Sequence, residues 1–173
     1  INKFVDTSAV LDENMKERFI NLYKRIPFIR NGGICKNVLE LKRTNLIRDK
    51  YNLSSEIKII FSLTRFESYK RPHDIFELYE SLSDDIKNKV FVYLNSPISD
   101  QEYYKWCLKK YKKTFEYSNV VIDLNYPKND KEMYDLFLSS DIFIFPNEKQ
   151  TWGHAALEAM ACGCIVIARN VQG

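Results

Sequence analysis

Two cations and one carboxylate stand where a sugar linked to a diphosphate could be held. Arg65 and Lys70 lie five residues apart in the segment Thr64, Arg65, Phe66, Glu67, Ser68, Tyr69, Lys70, Arg71. An arginine presents a planar fork to a phosphate and a lysine a point charge, so the pair can neutralise a diphosphate. The second stretch runs Gln150, Thr151, Trp152, Gly153, His154, and then Ala155, Ala156, Leu157, Glu158, Ala159, Met160 and Ala161. The last seven are strong helix formers, and Gly163 stands where a left-handed C-terminal cap belongs. Gly153 leaves the first N–H groups of that helix accessible. Together with the helix dipole they suit an anion such as a pyrophosphate. One turn on, Glu158 offers a carboxylate able to accept hydrogen bonds from a ribose. Each feature alone also has an ordinary reading, as basic residues of a surface loop or as an alanine-rich core helix with a solvated glutamate. The readings separate on whether the fold brings the two stretches together.

The elements that would do so alternate along the chain. Residues 58–63, 90–94, 120–124, 141–145 and 164–168 are short apolar runs of strand length, as expected of parallel strands covered on both faces. Between them, residues 100–117 and 130–138 have helical patterns, with Ser99 or Asp100 as a cap, and Pro72 starts a helix where its missing N–H costs nothing. Alternation of this kind predicts an α/β fold, a Rossmann-like doubly wound, mostly parallel sheet with helices on both faces. Ligands in such sheets bind at the C-terminal strand ends. That places Arg65 and Lys70 after one strand, Asn125 and Tyr126 after another, and residues 150–158 after a third. Upstream, residues 3–10 read as a strand, 12–23 as a helix, 26–30 as an extended run, and 38–51 as a basic helix with Leu39, Leu46 and Ile47 inward.

A chain of 173 residues suffices for one domain plus a fragment of another. With 45% hydrophobic and 28% charged residues and no apolar run of membrane-spanning length, it reads as soluble. The net charge of +3 does not argue for nucleic acid. The lysines of residues 105–113 read as the solvated face of an amphipathic helix. Cys35, Cys107, Cys162 and Cys164 lack the paired spacing of a zinc site or a dense disulfide scaffold, which suggests buried thiols in a reducing, cytoplasmic setting. Ile1 at the start and a strand close to Gly173 suggest a piece of a longer protein.

In these segments the chain resembles the C-terminal domain of the retaining, GT-B-fold glycosyltransferases of family four, the group that includes sucrose-phosphate synthases and mannosyltransferases. That family pairs two glutamates separated by seven residues around an aromatic-glycine step, followed by an alanine-rich helix and an apolar strand. Residues 150–167 follow this order, with Gln150 in place of the first glutamate, Glu148 two residues earlier, and Glu158 as the second. A loop arginine with a lysine a few residues on is matched by Arg65 and Lys70, although Thr64 and Arg71 replace frequent glycines. Arg30, Asn31 and Gly32 resemble the turn by which the chain enters the domain.

The resemblance implies one half of a GT-B fold, with 1–25 an interdomain segment and 26–173 a nucleotide-sugar donor domain. It implies transfer of a hexose, mannose included, from a UDP- or GDP-sugar to an acceptor hydroxyl in glycan or glycolipid synthesis. Arg65, Lys70 and Gln150 would then face the reacting diphosphate and sugar, and Asn125, Trp152, Gly153, His154 and Glu158 would hold the nucleotide. No metal and no further cofactor are expected, because the cations do a metal's work. The acceptor, and any contact with the cytoplasmic face of a membrane, would belong to an N-terminal domain, leaving the isolated chain inactive in transfer. An epimerase or hydrolase of the same fold, or a non-catalytic α/β binding module, would share part of this pattern.

Overall fold

The computed structural model describes residues 9–10, 16–18, 20–21, 28–29, 36–149 and 153–170. Ala9–Val10 (β1) and Phe28–Ile29 (β2) form a small parallel pair apart from the main sheet, and 16–18 and 20–21 are helical. The rest of the upstream strand, helix and extended run, and the Arg30, Asn31, Gly32 turn, lie outside the described residues. Lys36–Glu40 is a 3-10 turn and Leu46–Tyr51 (α1) a short helix, so the single helix expected over 38–51 is broken in two. Its inward face differs in part from expectation: Ile47 is buried as expected, and so is Val38, whereas Leu39 and Leu46 are exposed, because the interruption rotates the two pieces out of one helical phase.

The main sheet contains Lys58–Leu63 (β3), Val90–Asn95 (β4), Val120–Asp123 (β5), Ile142–Phe145 (β6) and Ile165–Ala168 (β7). Their order is β5-β4-β3-β6-β7, and every pairing is parallel. The helices are His73–Ser81 (α2), Asp84–Lys87 (α3), Gln101–Lys110 (α4), Lys112–Glu116 (α5), Asp130–Leu138 (α6) and His154–Ala161 (α7). The helix expected over 100–117 is thus interrupted at Tyr111. It begins as predicted, with the Asp100 carboxylate accepting from the Tyr103 N–H at 3.0 Å.

Two apolar layers flank the sheet. One carries Ile60, Phe66, Ile75, Phe76, Val92, Leu94 and Ile144 beneath α2, α4 and α5. The other carries Ile59, Phe61, Leu63, Phe91, Phe143 and Phe145 against α1, α6 and α7. Alternating side chains of β3 enter opposite layers, which is why its sequence is apolar almost throughout. Phe61 is fully buried between Tyr93, Phe137 and Phe143, and truncating such a ring costs ~3–5 kcal/mol. The alanines of α7 face the sheet as expected: Ala159 is fully buried, with Ala155, Ala156 and Ala161 packed on the same layer. Cys107, Cys162 and Cys164 are buried free thiols, and burial pushes each up to about 11. They are packing groups rather than nucleophiles.

The order of strands decides where a ligand can sit. The chain leaves β3 toward β4 on one side and returns to β6 on the other, so the direction of winding reverses between β3 and β6. β3 pairs with β4 through six registered residues but with β6 only through Ile60↔Ile142 and Phe61↔Phe143. A topological switch point of this kind places a crevice beyond the C-terminal ends of β3 and β6.

Candidate functional site

The loop after β3 is built around a buried aromatic. Phe66 has no exposed surface, stacks on Phe76 and meets Tyr104 edge-on, while its N–H donates to the Pro97 carbonyl at 2.9 Å. With Phe66 anchored inward, Arg65 is left turned to solvent, nearly half exposed, with Glu67 3.6 Å away as its ion-pair partner. The Tyr69 and Ser99 hydroxyls and the Arg65 and Lys70 cations together hold the Glu67 carboxyl below its ordinary range, against the opposing effect of burial. Glu67 therefore stays ionised and supports Arg65. A 3-10 turn, Ser68–Lys70, then brings Lys70 back beside the strand end, and Thr64, itself buried, reaches the Lys70 carbonyl through its hydroxyl at 3.5 Å. The Lys70 ammonium lies 5.2 Å from the Tyr69 ring centre. Burial, and then repulsion from Arg65, lower its pKa from the lysine value. An anion bound beside Lys70 would oppose both effects.

On the other side of the crevice, β6 runs into Pro146, Asn147 and Glu148. Gln150, Thr151 and Trp152 lie outside the described residues. Gly153 opens α7 in the left-handed conformation, φ 68°, with its carbonyl accepting from the N–H groups of Ala156 at 2.9 Å and Leu157 at 3.2 Å. Among the described residues no side chain caps this helix start. His154, the first helical residue, is exposed. Glu158, one turn on, accepts from the Tyr134 hydroxyl of α6 at 3.3 Å.

The third strand end carries Asn125. Its N–H and its side-chain amide both donate to Asp123 Oδ1, at 2.9 and 3.0 Å, and its carbonyl accepts from Asn95 at 2.6 Å. Tyr93 donates to the other Asp123 oxygen at 2.7 Å. Burial works to raise the Asp123 pKa, but the Tyr93 and Asn125 hydrogen bonds outweigh it and leave the carboxyl below its ordinary range. The Asn125 amide is thus engaged in shaping its own loop. Beside it lies a cleft of about 450 Å³ lined by Lys50, Tyr93, Asp123, Asn125, Tyr126 and Glu132, among others.

The fold therefore brings the loop of Arg65 and Lys70 next to the loop leading to Gly153, as the strand order requires, with Asn125 two strands away along the same edge. Sequence reasoning missed Phe66, whose burial turns Arg65 outward. It also missed Tyr93 and Asp123, which build the Asn125 loop from inside β4 and β5. Among the described residues no group of three His, Cys, Asp or Glu lies together as metal ligands do, and no helix is long and apolar enough to cross a membrane.

Residues 43–173 match the family described as Glycosyl transferases group 1. Among characterised proteins, an N-acetyl-alpha-D-glucosaminyl L-malate synthase from Bacillus anthracis is 25% identical over 128 residues, covering 73% of this chain and 31% of that enzyme. Among solved structures, Anabaena Alr3699/HepE in complex with UDP and glucose superposes with a TM-score of 0.77 at 16% identity, covering 99% of this chain and 46% of that one. The C-terminal domain of a glycosyl transferase group 1 family protein, LpcC from Francisella tularensis, has a TM-score of 0.62 at 19% identity, covering 79% of this chain and 70% of that one. The chain spans about a third of the curated relative and less than half of HepE. Its fold is the Rossmann-like half of a GT-B architecture, and the chain belongs to the group 1 glycosyl transferases.

Proposed function

We propose that this chain is the donor-binding domain of a retaining hexosyltransferase that uses a UDP- or GDP-sugar. The observation that carries this reading is the hydrogen bond by which the loop leading into the glycine-opened helix α7 meets the two-cation loop, Glu148 N–H to the Tyr69 carbonyl at 2.8 Å, where the strand order reverses. Breaking the bond between sugar and diphosphate builds negative charge on the departing phosphate. Arg65, Lys70 and the amides at the start of α7 are fixed donors aimed at that charge, and they act without reorganising. Glu158 accepts from the ribose hydroxyls, and the cleft beside Asn125 and Tyr126 receives the base against loop backbone. Gln150, an amide where relatives of the family carry a carboxylate, hydrogen-bonds the sugar hydroxyls without adding charge.

The acceptor, a glycan or a lipid-linked sugar, is held by a partner domain outside this chain, at the cytoplasmic face of a membrane. This chain alone then binds donor and transfers nothing. A thermal-shift panel of UDP-, GDP- and ADP-sugars tests the reading. At least one nucleotide sugar should raise the unfolding temperature without added divalent ions, and protection by none would remove the donor assignment.

A further inference from the structure

We propose that Arg71 and Glu148 form a clasp across the crevice between β3 and β6, making Arg71 a positioning residue for the donor and committing Glu148 to the loop rather than to the sugar. The inference rests on the donor reading above.

Arg71 adopts a left-handed backbone, φ 51° and ψ 44°. Among the described residues Asn52 is the other non-glycine residue with positive φ, and asparagine tolerates that region where arginine does not. The conformation ends the 3-10 turn and starts α2, and it turns the guanidinium back across the loop. Nε donates to Asp74 Oδ2 at 2.9 Å and Nη2 to Asp74 Oδ1 at 2.8 Å, while Nη1 faces Glu148 Oε2 at 3.9 Å. Glu148 is tied a second time, its N–H donating to the Tyr69 carbonyl at 2.8 Å. Lys70 is therefore bracketed by two neighbours that both hold Glu148. Asp74 also lies 3.9 Å from Arg169 Nε, just past β7, so it ties the loop after β3 to the segment after β7, while Arg71 reaches the loop after β6 through Glu148.

These ties stand in the loops that follow β3 and β6. The β3–β6 ladder ends at Phe61↔Phe143, and beyond it the two loops have no strand pairing to set their separation. Glu148 is half exposed, so the ion pair adds little to global stability. What it sets is geometry: Glu148 lies five residues before Gly153, and the distance between Lys70 and the start of α7 is the width available to a diphosphate.

The test compares Arg71→Gly, Glu148→Gln and the double variant with the parent protein. Glycine suits a left-handed position, so Arg71→Gly should keep the unfolding temperature unchanged or raise it. Calorimetry uses the nucleotide sugar that protects the parent most strongly. Each single variant should bind it roughly tenfold more weakly, and the double variant no worse than the weaker single, because both break one clasp. Amide hydrogen exchange at Glu148 in the absence of donor should quicken in all three. Unchanged affinity in both singles, or losses that multiply in the double, would overturn the proposal. If the parent binds no nucleotide sugar, the donor reading fails and takes the positioning role with it. Exchange at Glu148 still decides the clasp itself, and no acceleration in Arg71→Gly would remove it.

Discussion

Lys70 shows how far residue type and spacing reach. Its place five residues after Arg65 is visible in the sequence, but its environment is not. Burial and the Arg65 charge make the ammonium less comfortable than a surface lysine, and an anion between the two cations restores what burial removes. Lys70→Ala should therefore lower donor affinity by roughly 10- to 100-fold, on the scale of a lost charge-assisted contact, while Lys70→Arg keeps most of it. Calorimetric titration of the two variants checks this, and an alanine variant that binds as well as the parent would take Lys70 out of the phosphate site. In the sequence Arg71 stands out only as a replacement for a frequent glycine, because a positive φ leaves no mark on residue type when the residue is an arginine. The Tyr93 and Asp123 pair is equally hidden, since a strand interior gives no hint that a phenol and a carboxylate will meet one strand apart.

At the scale of elements, the strands are legible because both faces of the sheet are covered, and continuous apolar runs of this length fit little else; their order in the sheet is not, because an apolar run carries no record of its neighbour. Helices are legible where caps and period agree, as in α6, which spans the predicted residues and opens on Asn129 accepting from the Glu132 N–H at 2.9 Å. They are misread where amphipathic pattern is the only guide. The breaks before α1 and at Tyr111 preserve an apolar pattern while changing its phase, so the sequence looks continuous. The glycine stop of α7 is the strongest punctuation and supports a quantitative expectation. Gly163 has φ 84°, and a Cβ built there meets nothing within 4 Å, so Gly163→Ala adds conformational strain without a clash. It should cost about 1–2 kcal/mol in chemical denaturation, and Gly163→Asn less, because asparagine tolerates left-handed backbone. A larger loss for alanine would mean that the α7-to-β7 corner is held by contacts and not by backbone freedom.

At the scale of the whole molecule, one buried histidine couples global stability to pH. His73, at the start of α2, lies between α2 and α4 with Tyr103, Trp106 and Tyr111 around its ring. Nδ1 faces the Tyr103 hydroxyl and Nε2 faces Asp74 at 3.3 Å, so the neutral tautomer with its proton on Nε2 satisfies both partners. Burial lowers the His73 pKa from 6.5. Asp74 and Glu77 oppose that shift, and Arg71 and Lys110 reinforce it. Because the folded pKa is the lower one, the unfolded chain binds more protons in the interval between the two values. Stability is full above 6.5 and falls as pH drops toward the folded value, with a slope of at most ~1.4 kcal/mol per pH unit for one proton. The carboxylates with depressed values behave separately, since Glu67 and Glu77 start from 4.5 and Asp123 from 3.8, so their contribution is lost only in more acid solution. Denaturant midpoints for the parent should therefore decline as the pH falls below about 6.5, before the acid limb set by the carboxylates. His73→Gln, which keeps a hydrogen-bonding side chain but cannot titrate, should flatten that interval and leave the acid limb in place. A parent profile already flat there would mean that His73 is as easily protonated folded as unfolded, and that the α2–α4 interface admits the charge.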